Sequence, residues 1–298
     1  MKNNRLLCST GAMVGRENGY NYKRALSVIA KLKEKELLYG GELMMLKFYY
    51  DKRESIVSEV LRSDVPFPLI HCEKGIGTDL SHAAYLDSAG EYKSAEALLF
   101  DTIEHFRLNC RFGEDIGARY MVLHLWGGLD SDSYVQYNIS KLGLLTDIAS
   151  GHGIDLLLEN VPCTTRDPLS NWLSIIERYP KSELIFDTRF ATVHEQAEAT
   201  LSCVGIIDRL RHIHVSDCAY TLFENAYMQN GMRDFSCLRP ILHPYEGIVK
   251  LDDIAASLAK LGYTGTVTLE SPVMEGEELN TARLESSFRK LSDIFHAD

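Results

Sequence analysis

The sequence predicts an α/β fold of the closed (β/α)8 type, and three observations carry that expectation. Short apolar runs alternate with longer segments of helical period along all 298 residues. Eight such runs can be placed, the number that closes a parallel barrel. Six of them end in a residue able to bind a metal or move a proton: His71, His124, Glu159, Asp187, His214 and Glu270. Closing parallel strands into a barrel gathers those endings at one rim. An open doubly wound sheet would instead show a glycine-rich phosphate turn after an early strand. Neither Ser9-Thr10-Gly11-Ala12 nor Gly75-Ile76-Gly77 completes that pattern.

The first strand is expected over residues 5–9, followed by a helix over 22–35 in which Leu26, Ile29 and Leu32 recur near the 3.6 period. A second strand over 41–49 carries Glu42, and a helix over 53–62 presents Ile56, Val57, Val60 and Leu61. The third strand, 67–71, is entered through Pro66 and Pro68. A helix over 91–111 leads to the fourth strand at 120–124, and a helix over 134–150, stopped near Gly151 and Gly153, returns to the fifth at Ile154. There an aliphatic run meets Glu159 and Asn160. With a side-chain period of two, Leu157 and Glu159 share a face, which sets the carboxylate directly above a core residue. The second half repeats the scheme: helix 168–178, strand 183–187, a helix over 195–201, strand 211–215. A helix over 251–261 carries Ile254, Leu258 and Leu261, Gly262 stops it, strand 265–270 follows, and Leu284, Phe288, Leu291 and Phe295 stripe a closing helix. One domain over residues 1–298 is expected.

A hydrophobic content of 45% in 298 residues suffices for a large core. The net charge of −11, from 42 acidic against 31 basic residues, is opposite to that of domains gripping phosphate backbones, so nucleic acid is not an expected partner. Seven scattered cysteines without a CxxC pair suit reduced thiols in a cytoplasmic enzyme. No apolar run is long enough for a membrane span or a signal segment, and no membrane association is expected. The longest irregular stretch, 217–249, is rich in aromatics (Tyr220, Phe223, Tyr227, Phe235, Tyr245) and adds Met228, Met232 and Leu238. It is expected to fold as a lid over the barrel mouth, the alternative being a contact in a homo-oligomer.

Five strand endings, in order, are Val-Leu-His124-Leu-Trp-Gly-Gly, Leu-Leu-Glu159-Asn-Val-Pro, Ile-Phe-Asp187-Thr, His212-Ile-His214-Val-Ser-Asp217 and Gly262-Tyr-Thr-Gly-Thr-Val-Thr-Leu-Glu270. Together they resemble the xylose isomerase-like barrels, a superfamily of sugar and sugar-phosphate isomerases and epimerases that includes the endonuclease IV group of repair enzymes. The resemblance covers nearly the whole chain and is more specific for the superfamily than for any member. It implies that Glu159, Asp187, His214 and Glu270 hold one divalent metal ion. Three carboxylates and one imidazole make a hard, oxygen-rich set that suits Mn, Mg or Co at least as well as Zn, with Mn favoured. It implies further that Glu159 and Glu270 are the catalytic pair: one removes the proton beside a carbonyl, the metal stabilises the enediolate, and the other returns a proton. The expected ligand is a small sugar or sugar phosphate. His71 and His124 are expected at the substrate or at a further metal, Trp126 against a sugar face, and Glu42 at a second-strand position where many relatives carry Glu. His212, one step deeper than His214, is expected to be a satisfied core histidine.

The chain also departs from these relatives. Phe190 stands where many place a second histidine three residues after the sixth-strand Asp, with His194 further on, and Tyr220 stands where several ketose epimerases carry Arg. His243-Pro-Tyr-Glu-Gly247 does not supply the third-metal ligands of the nucleases. An endonuclease IV-like phosphodiesterase and a barrel that binds without turnover are the alternatives.

Overall fold

Which side chains fill the pore is decided by alternation along eight short strands: β1 Leu6–Ser9, β2 Gly40–Met44, β3 Leu69–His71, β4 Tyr120–Leu123, β5 Asp155–Glu159, β6 Glu183–Asp187, β7 Leu210–Val215 and β8 Thr266–Leu269. In the computed structural model, which describes residues 5–127, 132–222 and 238–295, each strand pairs in parallel with the next and β8 returns to β1, closing the barrel. Leu7, Leu69, Val122, Leu157 and Ile185 form an apolar plug. Two residues further along their strands, on the same inward face, come His71, His124, Glu159 and Asp187. Plug and polar rim thus arise from one period-two pattern.

Helices cover the outside: α1 Tyr22–Glu34, α2 Arg53–Arg62, α3 Gly75–Ser88, α4 Tyr92–Asp115, α5 Val135–Gly151, α6 Pro168–Arg178, α7 Thr188–Val193, α8 Ala197–Ser202, α9 Val204–Ile207, α10 Leu251–Lys260 and α11 Thr281–Phe295. Their apolar stripes bury Phe106, Phe112, Trp172, Phe288 and Phe295. Local signals start them. Asn21 accepts from the Arg24 amide to cap α1, and Asp167 accepts from Ser170 ahead of Pro168 at the first position of α6. No described helix is long and apolar enough to cross a membrane.

Several elements differ from the sequence expectation. β2 stops at Met44, where its register with β3 ends at His71, and Lys47–Lys52 is a 3-10 helix that sets Phe48 and Tyr49 against Tyr20 and Tyr22. Between β3 and β4 stands a helical hairpin rather than one helix: α3 begins at the glycines first weighed as a phosphate turn, and Gly90, at φ +81°, turns the chain into α4. After β6 the chain forms three short helices. A hairpin of β9 Met274–Glu275 and β10 Glu278–Leu279 follows β8.

Phe223, Tyr227, Met228, Met232 and Phe235, on which the lid expectation rests, lie outside the described residues. The roots of the segment are described, and Asp217 ties them. Its backbone pairs with Leu242 in both directions at 2.9 Å. Its carboxylate accepts from the amides of Cys218 (2.8 Å), Gly247 (2.9 Å) and Val249 (2.9 Å).

Gly77 has a packing reason: a Cβ there would fall 2.3 Å from the carbonyl oxygen of His124, at the end of β4. Gly77→Ala is therefore expected to destabilise the protein by about 1–3 kcal/mol, measured by urea unfolding. A stability equal to wild type would show that α3 can move away from β4 without penalty.

Candidate metal centre

Glu159 and Asp187 end β5 and β6, His214 lies on the inward face of β7, and Glu270 follows β8. One ligand atom from each lies within 4.8 Å of all the others. Local structure aims them. Asp187 caps α7 through Oδ1, which accepts from the Phe190 amide at 2.7 Å, so Oδ2 is left for the cluster. His214 turns Nδ1 toward Glu159 Oε1 (3.0 Å) and Glu270 Oε2 (3.5 Å). Asp187 Oδ2, Glu159 Oε2 and Glu270 Oε1 are buried without a hydrogen-bond partner. Orphaned carboxylate oxygens are costly in a protein interior, and a divalent cation is the group that satisfies several at once. The donor set, three carboxylates and one imidazole nitrogen, fits a hard or borderline ion, and no cysteine joins a candidate ligand group among the described residues.

Glu42 lies deeper than the rim. It faces inward, but β2 pairs Glu42 with Leu69 and Met44 with His71, one layer above. The carboxylate is fully buried and accepts from His214 Nε2 (3.0 Å), His212 Nε2 (3.2 Å) and Thr268 Oγ1 (2.9 Å). These partners occupy the groups expected to meet substrate, and Glu42 instead supports His214 from below. Burial opposes its charge, yet the His214 and His212 imidazoles hold it well below the usual carboxylate range. An ionised carboxylate only accepts, so both Nε2 atoms carry protons and His214 Nδ1 is the atom presented to the cluster. Nδ1 of His212 meets Thr266 Oγ1 at 2.5 Å, which makes it the satisfied core histidine expected.

Charge is unevenly shared. Burial disfavours the His214 imidazolium, but Glu270, Glu42 and Glu159 hold its pKa well above the usual value. Glu159 is held well below its usual value, against burial, by His124 and His214. Burial pushes Asp187 up to about 6, opposed by Arg189 and reinforced by Glu159 and Glu270.

His71 and His124 flank the other oxygen of Glu159. His71 Nδ1 donates to the Cys72 carbonyl at 2.7 Å, leaving Nε2 3.6 Å from Glu159 Oε2, and His124 Nε2 touches that same oxygen. Burial pushes His124 down to about 4. Trp126 is fully buried, with its indole N–H on the Val161 carbonyl at 3.0 Å, so it lines the wall behind β4 and offers no open face to a ligand. His194 accepts from the Cys163 amide at 3.0 Å and stands outside the ligand groups. Phe190 packs its ring 6.4 Å from that of His124. Tyr220 is half exposed, at 51%.

Three residues near the site carried no role in the sequence reading. Thr268 shares an inward face with Glu270, a placement the period-two pattern of β8 already contains. Asn160 bonds across to β6. Arg189 is buried at the rim, its Nε donating to Ser216 Oγ (3.1 Å) and Nη1 to the Leu238 carbonyl (3.3 Å), with its guanidinium over the Phe190 ring. Nothing in their local sequence distinguishes the last two from loop residues.

The pH dependence of metal binding follows from these charges. Below pH 6 the metal-free site keeps a proton on Asp187, and at neutral pH it still keeps one on His214 Nδ1. A cation must displace both. Affinity for a divalent ion is expected to rise roughly 100-fold per pH unit below that value and roughly 10-fold above it. Calorimetric titration in buffers of different ionisation enthalpy counts the released protons, and an affinity flat between pH 5 and 8 would contradict the cluster as the ligand set.

A profile of the xylose isomerase-like TIM barrel family matches residues 74–291. Comparison with curated protein sequences finds no match. Among solved structures the chain is similar to a xylose isomerase domain protein from Planctomyces limnophilus (14% identity, TM-score 0.64, covering 98% of this chain and 96% of that one). It is also similar to D-allulose 3-epimerase from Methylomonas sp. in complex with D-allulose (15%, 0.61, 100% and 93%), and to the IOLI protein with a bound zinc atom (14%, 0.64, 98% and 98%). At these identities the likeness speaks for the fold alone, and the profile match supplies the family. The chain belongs to the xylose isomerase-like TIM barrel family.

Proposed function

We propose that this protein is a divalent-metal-dependent isomerase or epimerase of a small sugar or sugar phosphate. The observation that carries the reading is the convergence of Glu159, Asp187, His214 and Glu270 with three buried oxygens lacking partners. The similar structures that hold D-allulose or zinc support it. When bound, a divalent ion such as Mn supplies polarisation of a substrate carbonyl.

The protein's own residues do the rest. Glu42 fixes the ring of His214 from below, and Asp187 is held by its cap on α7. Glu159 and Glu270 both approach His214 Nδ1, at 3.0 and 3.5 Å, so they flank whatever lies above it. One carboxylate takes the proton next to the carbonyl. The other delivers a proton to the same carbon, which epimerises it, or to its neighbour, which isomerises the sugar. The depth of the cluster keeps stray water from protonating the carbanion-like carbon.

A second reading has its own observation: His71 Nε2, His124 Nε2 and Glu159 Oε2 are buried, face one another and lack hydrogen-bond partners, which suits a second cation and a phosphodiesterase. The charge of −11 opposes it. Metal content separates the two, one equivalent against two.

The functional test is to incubate the Mn-loaded protein with ketoses, aldoses and their phosphates in heavy water. Deuterium is expected at a carbon beside the carbonyl of one substrate, and Glu270→Gln is expected to slow its entry about 10²–10⁴-fold. Asp187→Ala is expected to lose the ion. Incision of an abasic duplex without any deuterium exchange would replace this reading with the phosphodiesterase.

A further inference from the structure

Asn160 follows the ligand Glu159 but takes no part in the cluster. The last backbone pair between β5 and β6 is Glu159 with Ile185. Beyond it the β5 chain turns away through Val161 and Pro162, and the peptide groups of Asp187 on that side have no strand left to pair with. Asn160 fills the gap. The Asp187 amide donates to Asn160 Oδ1 at 2.6 Å, and Asn160 Nδ2 donates to the Asp187 carbonyl at 3.1 Å, with Asn160 buried. A carboxamide carries the same donor and acceptor as a peptide unit, so this side chain stands in for one more ladder step.

The same device recurs on the other side of Asp187. Thr188 Oγ1 donates to the Ser216 carbonyl at 2.9 Å and accepts from the Ser216 amide at 3.3 Å, linking β6 to β7 just beyond Asp187 and His214. Strands β5, β6 and β7, which present Glu159, Asp187 and His214, are therefore stapled past the end of their ladder by side chains alone.

We propose that Asn160 is a positioning residue that sets the spacing between Glu159 and Asp187 for metal binding. Two hydrogen bonds, one to the peptide unit on each side of the Asp187 Cα, fix both the distance and the rotation of that residue. Asp187 is thereby gripped on both sides: its main chain by Asn160, its Oδ1 by the cap on α7. The inference rests on the reading that the four residues hold the ion, and it names a residue whose own atoms never touch that ion.

The test is Mn²⁺ affinity by calorimetry and the visible spectrum of the Co²⁺-loaded protein, for wild type, Asp187→Ala, Asn160→Leu and Asn160→Ser, beside the melting temperature of each metal-free protein. Asn160→Leu removes both bonds at nearly constant shape and is expected to weaken Mn²⁺ binding about 10–100-fold, with an altered Co²⁺ spectrum. Asn160→Ser, which restores at most one bond, is expected to fall between and serves alone if the leucine variant does not fold. The control is Asn109→Leu. Asn109 is a buried amide bonded to the Glu73 amide, Tyr50 and the His105 carbonyl, away from the cluster. It should lower the melting temperature and leave Mn²⁺ affinity and the Co²⁺ spectrum unchanged. Unchanged affinity and spectrum in the Asn160 variants, with binding lost in Asp187→Ala, would overturn the proposal. So would an Asn109→Leu loss equal to that of Asn160→Leu, which would mark a general effect of destabilisation. Absence of binding by wild type would instead overturn the metal reading on which the proposal rests.

Discussion

Three buried carboxylates, Glu42, Glu159 and Asp187, and the partly buried Glu270 crowd the upper pore, and one imidazole is shared among three of the four. His214 meets Glu42 through Nε2 and Glu159 and Glu270 through Nδ1. Two like charges 4 Å apart repel by about 4 kcal/mol at the effective dielectric of a partly buried site, so such a gathering persists only with positive charge supplied from within. Protonated His214 and the field of Arg189 supply part of it in the metal-free protein. The barrel supplies the remainder of the constraint. Strand ends joined in a closed ladder keep these acids at close range.

Much of this was legible because a strand has a period of two. Glu159 above Leu157, Asp187 above Ile185 and His71 above Leu69 could be placed on one face from sequence, and the barrel then had to bring them together. Depth was not legible. The level of Glu42, expected only as a second-strand acid, depends on the stagger between neighbouring strands, which pairs it with Leu69 rather than with His71. The orientation of Trp126 was hidden for a similar reason: a strand-end aromatic can face the mouth or the wall, and here its indole N–H meets the Val161 carbonyl. Helix α3 was hidden because Gly75 and Gly77 weaken its helical signal, and the need for Gly77 is apparent only once His124 packs against it.

The rim combines familiar ligands with altered neighbours. Where the family pattern has an imidazole after the sixth-strand acid, Phe190 presents a ring beside His124, and the buried guanidinium of Arg189 lies across that ring. The candidate cation ligands and these altered neighbours are therefore different side chains. The first lie at the strand ends of the barrel, the second on α7.

The Asp217 clamp limits how far the length of the segment after β7 bears on the barrel. Its carboxylate gathers amides from residues 218, 247 and 249, and its backbone pairs with Leu242, so the two described roots of the segment are tied to each other at Asp217. A loop anchored at a common root transmits little of its length to the scaffold, since doubling a loop adds only about 0.6 kcal/mol to the cost of closing it. By that relation a change of length between positions 222 and 238 adds little to the cost of closing the segment at Asp217. The register of β7 with β8, from His212 with Thr266 to Val215 with Leu269, is set below that root.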